Sequence, residues 1–248
     1  MSADPADLDG ATGYRPDFPY HDENLLMLEW YASRLERTLR ARGSRRLLSL
    51  GIGHQVVSRR LAGLLGHGLE SYTIVEGSQA RIDELAASGE LKSGVRVVHG
   101  YFEEFRPEAA LDAVEMGFVL EHVADPAELV ARYRSFLAPG GVVAIAVPNA
   151  RSLHRLVGQR AGLLDDLYRL SEHDLALGHR RYFDRARLVE LVERAGLRVL
   201  ACEGILLKPL TTGQLKRLGL DERVMRALCD VAQDHPDIAN ALYLEAEA

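Results

Sequence analysis

The chain has 248 residues, 47% of them hydrophobic, and a formal net charge of −6. That length buries a large core, as one α/β domain with additions or as two small domains, and the acidic balance argues against a nucleic-acid partner. No apolar run reaches spanning length, the polar N-terminus does not read as a signal peptide, and Cys202 and Cys229 make neither a disulfide framework nor a metal site. The expected setting is cytoplasmic, without a membrane partner.

Residues 1–20 carry Pro and Gly breakers with little periodicity and read as an arm. A helix follows from Asp22, with Leu28, Ala32, Leu35 and Leu39 on one face and Gly43 closing it. Residues 46–50 are the apolar run of a buried parallel strand, broken by Gly51 and Gly53. Val57, Leu61, Leu64 and Leu65 then recur at helical spacing. Residues 72–76 form a second strand, Ser78 caps a helix holding Ile82 and Leu85, and Gly89 ends it. Residues 95–99 and 111–119 read as the third and fourth strands.

Asp125-Pro126-Ala127-Glu128 supplies a capping acid, a first-turn Pro and a Glu three residues on. The helix it opens has Leu129, Tyr133, Phe136 and Leu137 inward. Pro139-Gly140-Gly141 turns the chain into an apolar fifth strand over 142–147. Strands alternating with helices mean a parallel sheet with right-handed crossovers. Residues 150–183 interrupt the alternation, are rich in Arg and His, and are long for a plain connection. Asp184 caps a helix with Leu188, Leu191 and Val192, ended by Gly196; a sixth strand covers 197–207. Asp221 starts a helix with Val224, Leu228 and Val231 on one face, and residues 241–245 alternate as a final strand.

Strand, glycine turn and helix over 46–57 make the first unit of a nucleotide-binding α/β fold, whose helix aims its free N–H groups at the ligand. A dinucleotide fingerprint wants a third glycine, and Val56 stands there. Glu76, ending the second strand, can accept both hydroxyls of a ribose. A ribose clamp beside a turn without a pyrophosphate cradle fits an adenosine ligand, and S-adenosylmethionine is the candidate.

Phe118-Val119-Leu120-Glu121-His122-Val123-Ala124-Asp125-Pro126, followed by Leu137-Ala138-Pro139-Gly140-Gly141, carries the more specific signal. Val147-Pro148-Asn149-Ala150 and Gly178-His179-Arg180-Arg181-Tyr182-Phe183 extend it. With these motifs the chain resembles the class I S-adenosylmethionine-dependent methyltransferases, in the small-molecule branch that includes ubiquinone-biosynthesis enzymes. The resemblance covers residues 45–248, with 1–44 as arm and covering helix and 150–183 as an acceptor-side lid.

It implies a Rossmann-like seven-stranded α/β sheet, mostly parallel, with helices on both faces and the last strand antiparallel beside the fifth. It implies S-adenosylmethionine as cofactor, S-adenosylhomocysteine as product, and cofactor contacts at Gly51 and Gly53 (methionine part), Glu76 (ribose), Gly77 and Ser78 (adenine edge), and Tyr101 and Phe102 (adenine). Met116, Gly117 and Phe118 would lie under the sulfonium. Ser49 stands where the family usually has an acid, His54 and Gln55 where small residues are usual, and Tyr101 replaces a common Asp.

Methyl transfer needs two reactants held in line, with a general base where the acceptor must lose a proton. His179, where the insert rejoins the sheet, is the residue expected to face the acceptor; His122 has a structural, cofactor-side or catalytic reading. His54 reads as a cofactor-carboxylate contact, a lid residue or a solvent position. His154, His173, Asp165, Asp166 and Glu172 complete the candidates, and Tyr14, Tyr20, His21 and Trp30 are either packing or a pocket wall. The arginines of the insert form a solvated face or receive an anionic small-molecule acceptor. No residues show metal-ligand spacing, so no metal is expected. The oxygen, nitrogen or carbon nature of the acceptor and the oligomeric state are not set by the sequence. The rival classes are a nicotinamide oxidoreductase, which Val56 and the Leu-Glu-His and Pro-Gly-Gly segments oppose, and a non-catalytic partner protein on a degenerate methyltransferase fold.

Overall fold

The computed structural model describes residues 17–248; Tyr14 and most of the expected arm lie outside the described residues. The chain enters through α1 (His21–Arg42), closed by Gly43 in the left-handed region at φ 63°. Then follow β1 (Arg46–Leu50), α2 (Val56–Ala62), β2 (Ser71–Glu76), α3 (Gln79–Ser88), β3 (Val95–His99), β4 (Leu111–Gly117), α4 (Pro126–Arg134) and β5 (Leu137–Pro148). After the insert come α7 (Arg185–Arg194), β6 (Arg198–Ile205), α8 (Thr212–Leu218), α9 (Glu222–Ala232) and β7 (Ala241–Glu247), with α5 (Leu153–Arg160) and α6 (Glu172–Ala176) inside the insert.

One seven-stranded sheet has the order β3-β2-β1-β4-β5-β7-β6. Strands β1 to β5 pair in parallel, and β7 runs antiparallel to both β5 and β6. Two apolar layers cover its faces. Tyr31, Leu35 and Leu39 of α1 join Leu61 and Leu85 on one side. Leu129 and Tyr133 of α4 join Leu188 and Val192 of α7 on the other. The α1 helix therefore belongs to the core of the sheet.

Several boundaries differ from the sequence reading. Strand β4 stops at Gly117 because Phe118 turns into the left-handed region (φ 59°), with its N–H still reaching Ala146 O at 2.7 Å. Strand β5 starts five residues before Val142, since Leu137 pairs with Leu111 and the Pro-Gly-Gly segment is absorbed as a register shift. Helix α4 ends at Arg134, which leaves Phe136 and Leu137 beyond it and only partly buried. On α9 the buried residues are Cys229 and Ala232, and Val224 and Val231 are exposed. Helix α8 was not anticipated. Its signal is the capping box of Thr211 and Gln214, with Gly219 as left-handed stop.

Candidate active site

At the carboxyl end of β1 the turn is built from backbone that favours glycine: Gly51 sits at φ 89° and Gly53 at φ 55°. Glu76, at the end of neighbouring β2, organises it. One carboxylate oxygen accepts the N–H of Ile52 at 2.9 Å and the other that of Ser78 at 2.8 Å. A Cβ on Gly51 would lie 3.9 Å from Phe102 and 4.0 Å from the Glu76 carboxylate, filling the cradle between them. Phe102 is steadied by Tyr133, whose hydroxyl donates to its carbonyl at 2.8 Å.

The Ser78 hydroxyl accepts the Arg81 N–H as the cap of α3, the Gly77 carbonyl lies 3.1 Å from His99 Nε2, and Tyr101 is half-buried. Met116 is fully buried in the apolar layer beneath β4. Alternation along the strand sends its side chain to the face opposite its neighbours, so only its backbone is left to border the turn.

Ser49 raised the question of a missing acid. Its hydroxyl is 2.9 Å from the Tyr72 hydroxyl, and its register partner on β4 is Glu115. A carboxylate thus stands one strand over. Glu115 is buried, accepts the Gly117 N–H at 2.6 Å and the Tyr31 hydroxyl at 2.9 Å, and burial pushes its pKa up to about 7 against those hydrogen bonds. Gly117 is obligatory here: a Cβ would come within 2.6 Å of both the Glu115 carboxylate and the Tyr31 ring.

Beside this turn opens a cavity of about 340 Å³. Gly53, His54, Gly117, Phe118, His122 and His179 all line it, together with Tyr20, His154 and His173. Phe18, Tyr20 and His173 make an edge-to-face cluster on one wall. His21 meets His54 edge-on at 5.7 Å; burial, followed by the charges of His21 and Arg81, brings His54 down to about 4 and keeps it neutral. Asp165, Asp166, Glu172 and Trp30 are not in the lining.

The insert is closed at its base by Ala150 N–H donating to Phe183 O at 2.7 Å. Its arginines build it. Arg181 forks onto the carbonyls of Leu120, Val123 and Ala124, and the Arg180 N–H reaches Glu121 O at 2.8 Å. Arg155 holds the carbonyls of Leu167 and Arg169 and lies over the Tyr182 ring. These contacts press His179 against the segment that follows β4, with the rings of His122 and His179 edge-to-face at 4.8 Å.

Burial, then the charge of His179, pulls His122 down to about 4. Burial also lowers His179, but Asp174 and Glu121 outweigh it and hold the ring above its usual value. Asp174 Oδ1 is 3.2 Å from His179 Nδ1 without hydrogen-bond alignment. Ser171 and Tyr182 fix Asp174 in place.

Sequence reasoning missed three contributors. Glu121 was part of a motif and never a site residue; it is wholly buried, and burial pushes it up to about 7. The second is a grouping that sequence spacing does not bring together: atoms of Glu121, His122 and His179 lie within 4.8 Å of one another. Spacing could not reveal this, since His179 arrives from the far end of the insert. The third is the buried pair Lys208 and Glu23, 2.6 Å apart and shared with Thr212, on the cavity wall. Polar residues in apolar context at α1 and after β6 were its only trace.

A mostly parallel sheet with an antiparallel strand set beside β5, carrying a glycine turn and an acid at the ends of β1 and β2, is the architecture of class I methyltransferases. Residues 24–201 match the family described as a methyltransferase domain, and the chain belongs to that family as an S-adenosylmethionine-dependent methyltransferase. The match begins inside α1, ahead of the expected boundary at residue 45. Among its relatives is the ubiquinone biosynthesis O-methyltransferase of Aromatoleum aromaticum, 28% identical over 242 residues, which are 90% of this chain and 94% of the relative. That of Paraburkholderia phytofirmans is 27% identical over 205 residues, 78% of this chain and 79% of the relative. The S-adenosylmethionine-dependent methyltransferase structure from Mesorhizobium loti superposes with a TM-score of 0.56 at 16% identity, over 86% of this chain and 96% of that one. Among the described residues no helix is long and apolar enough to cross a membrane.

Proposed function

We propose that the chain methylates an oxygen of a small-molecule acceptor, in quinone-type, sugar or secondary-metabolite biosynthesis, with S-adenosylmethionine held at the glycine turn and the acceptor in the adjoining cavity. The carrying observation is that one cavity joins Gly53, Gly117 and Phe118 to His122 and His179. The curated relatives are named O-methyltransferases of ubiquinone biosynthesis, which supports oxygen as the methylated atom.

The residues fit the cofactor. The cradle at Gly51 admits a ligand where a Cβ would stand, and each Glu76 oxygen keeps a lone pair beyond the backbone N–H it already accepts. In this reading Glu76 takes the ribose hydroxyls and Phe102 or Tyr101 lies against the base. Bound S-adenosylmethionine supplies an activated methyl on a sulfonium; the protein supplies alignment and exclusion of water. His179 is the polar group that meets the reacting hydroxyl. As a neutral imidazole it accepts the hydroxyl proton during attack, with Asp174 behind it to stabilise the charge that forms. Arg155 and Arg181 are engaged in holding carbonyls of the lid, so these two do not call for an anionic acceptor.

Calorimetry with S-adenosylhomocysteine on the wild type and Glu76→Ala tests the cofactor half. Undiminished affinity in the variant would place the ribose elsewhere. Turnover of catechol- and phenol-type acceptors by the wild type, read as S-adenosylhomocysteine formed, tests the acceptor half.

A further inference from the structure

The part of the cavity wall made by the start of α5 and the segment after β6 holds polar groups that the reaction at His179 does not use. Lys208 is 5% exposed, and its ammonium carries three N–H donors. One goes to Glu23 Oε1 at 2.6 Å and one to the Thr212 hydroxyl at 3.1 Å. The third is left to the cavity that Lys208 lines, beside the Tyr20 ring, whose centre is 5.8 Å from Nζ.

Ser152 stands at the N-cap of α5, where a hydroxyl ordinarily accepts an N–H of the first turn. Here those N–H groups are already taken. Leu153 N–H donates to Ile238 O, His154 N–H to Lys208 O and Arg155 N–H to the Ser152 carbonyl. The Ser152 hydroxyl, in a residue 1% exposed, is thereby left without a hydrogen-bond partner among the described residues. His154 Nδ1 is buried and unpartnered in the same sense. Both side chains line the cavity, and the backbone bond from His154 to Lys208, 3.1 Å long, holds the two segments side by side. A serine hydroxyl turns between staggered positions and an imidazole ring turns end for end, so each can present its polar atom to a ligand.

We propose that Ser152, His154 and Lys208 form a recognition site for a second, uncharged oxygen of the acceptor, a carbonyl or hydroxyl on the same small molecule that carries the methylated oxygen. The site deepens the proposed function and rests on its placement of the acceptor in this cavity.

Charge decides against an anion here. The Lys208 cation is matched by Glu23, and the Arg155 guanidinium is engaged on the carbonyls of Leu167 and Arg169. Burial, followed by the charges of Lys208 and Arg155, brings His154 down to about 3 and keeps its ring neutral. What remains is a hydroxyl, a neutral imidazole and one N–H of an ammonium already paired, a set suited to an oxygen with lone pairs and no charge. A cavity of about 340 Å³ takes a single substituted ring, so an oxygen held at this wall fixes which other oxygen of the ring reaches His179. A site built to hydrogen-bond an oxygen also rejects analogues that lack it, because its own buried groups would stay unpaired.

The test compares three catechols that share the reacting hydroxyls and differ in one ring substituent: protocatechualdehyde with a formyl, methylcatechol with a methyl and protocatechuate with a carboxylate. Binding is read by calorimetry on the full chain, with and without S-adenosylhomocysteine, for the wild type, Ser152→Ala and His154→Phe. Lys208→Met would strand Glu23 as a buried unpaired charge, so the two neutral replacements carry the test. The expected result is protocatechualdehyde bound at least tenfold tighter than methylcatechol or protocatechuate by the wild type, with that preference cut at least threefold in each variant at unchanged S-adenosylhomocysteine affinity. No formyl preference in the wild type overturns the proposal, as does a preference retained in both variants or the carboxylate bound more tightly than the formyl. Turnover with S-adenosylmethionine reads the reaction separately: a formyl preference lost in the variants, with no methylation of any of the three catechols, leaves the recognition site standing and removes the proposed reaction on this class of ring.

Discussion

The two halves of the site treat polar groups in opposite ways. Around the glycine turn every functional carboxylate is already spoken for: Glu76 accepts two backbone N–H groups, and Glu115 accepts the Gly117 N–H and the Tyr31 hydroxyl. Across the cavity, both Glu121 oxygens and a ring nitrogen each of His154 and His179 are buried without a hydrogen bond. The first half is a finished receptor, stiff before anything binds. The second half keeps unsatisfied groups at a cost in stability, and such groups are retained where a ligand completes them. The contrast fits a shared donor on one side and an acceptor specific to this chain on the other.

The largest expected effect breaks the unsatisfied half. His179→Ala lowers turnover on the order of 10²-fold, the scale for losing a positioned acid–base group, while S-adenosylhomocysteine affinity holds. Full turnover would take His179 out of the chemistry, and lost cofactor binding would move it to the other half. Next comes the satisfied half. Glu76→Ala removes the ribose partner and loosens the turn, weakening S-adenosylhomocysteine by about 1.5–3 kcal/mol in calorimetry.

At the seam between the halves, Gly117→Ala forces a Cβ to within 2.6 Å of Glu115 and Tyr31. Overpacking of that kind costs about 1–3 kcal/mol and should lower Tm by several degrees in a thermal melt. An unchanged melt would mean Tyr31 moves aside freely.

Within any one pH unit the smallest effect comes from titration. Burial raises Glu115 from 4.5 to about 7, so the folded protein keeps a proton that the unfolded chain releases. Its contribution to stability is therefore greatest in acid and is lost as pH rises from about 4.5 to about 7, at up to ~1.4 kcal/mol per pH unit. Glu121, raised to about 7 as well, adds in the same direction. Glu115→Gln should make the slope of urea midpoints between pH 5 and 7 more positive than in the wild type, since the buried neutral His54 and His122, which pull the opposite way, are then less opposed. A slope equal to that of the wild type would show that Glu115 ionises normally.

The satisfied half was legible in the chain because it is local: glycines at 51 and 53, an acid closing the next strand, a cap at Ser78. Each sits within a few residues of the element that positions it. The parallel run of the first five strands followed from the alternation of strands and helices, while the antiparallel place of the last strand beside the fifth came from the family resemblance. The other half is assembled from distant pieces, Glu23 and Tyr20 before β1, Glu121 after β4, Asp174 and His179 from the insert and Lys208 after β6. No spacing in the sequence encodes those meetings. Ser49 shows the limit from the opposite direction. Its departure from the usual acid looked like a loss, and only strand register reveals Glu115 beside it.

One consequence of the strand order concerns synthesis. Strand β7, the last in sequence, is hydrogen-bonded between β5 and β6. As the chain leaves the ribosome β6 has no strand to pair with, and β5 keeps an open apolar edge until residues 241–247 emerge. The nascent sheet thus waits for residues 241–247 to join β6 to β5. During that interval it is most open to pairing with another chain, and a chaperone's hold on it matters most.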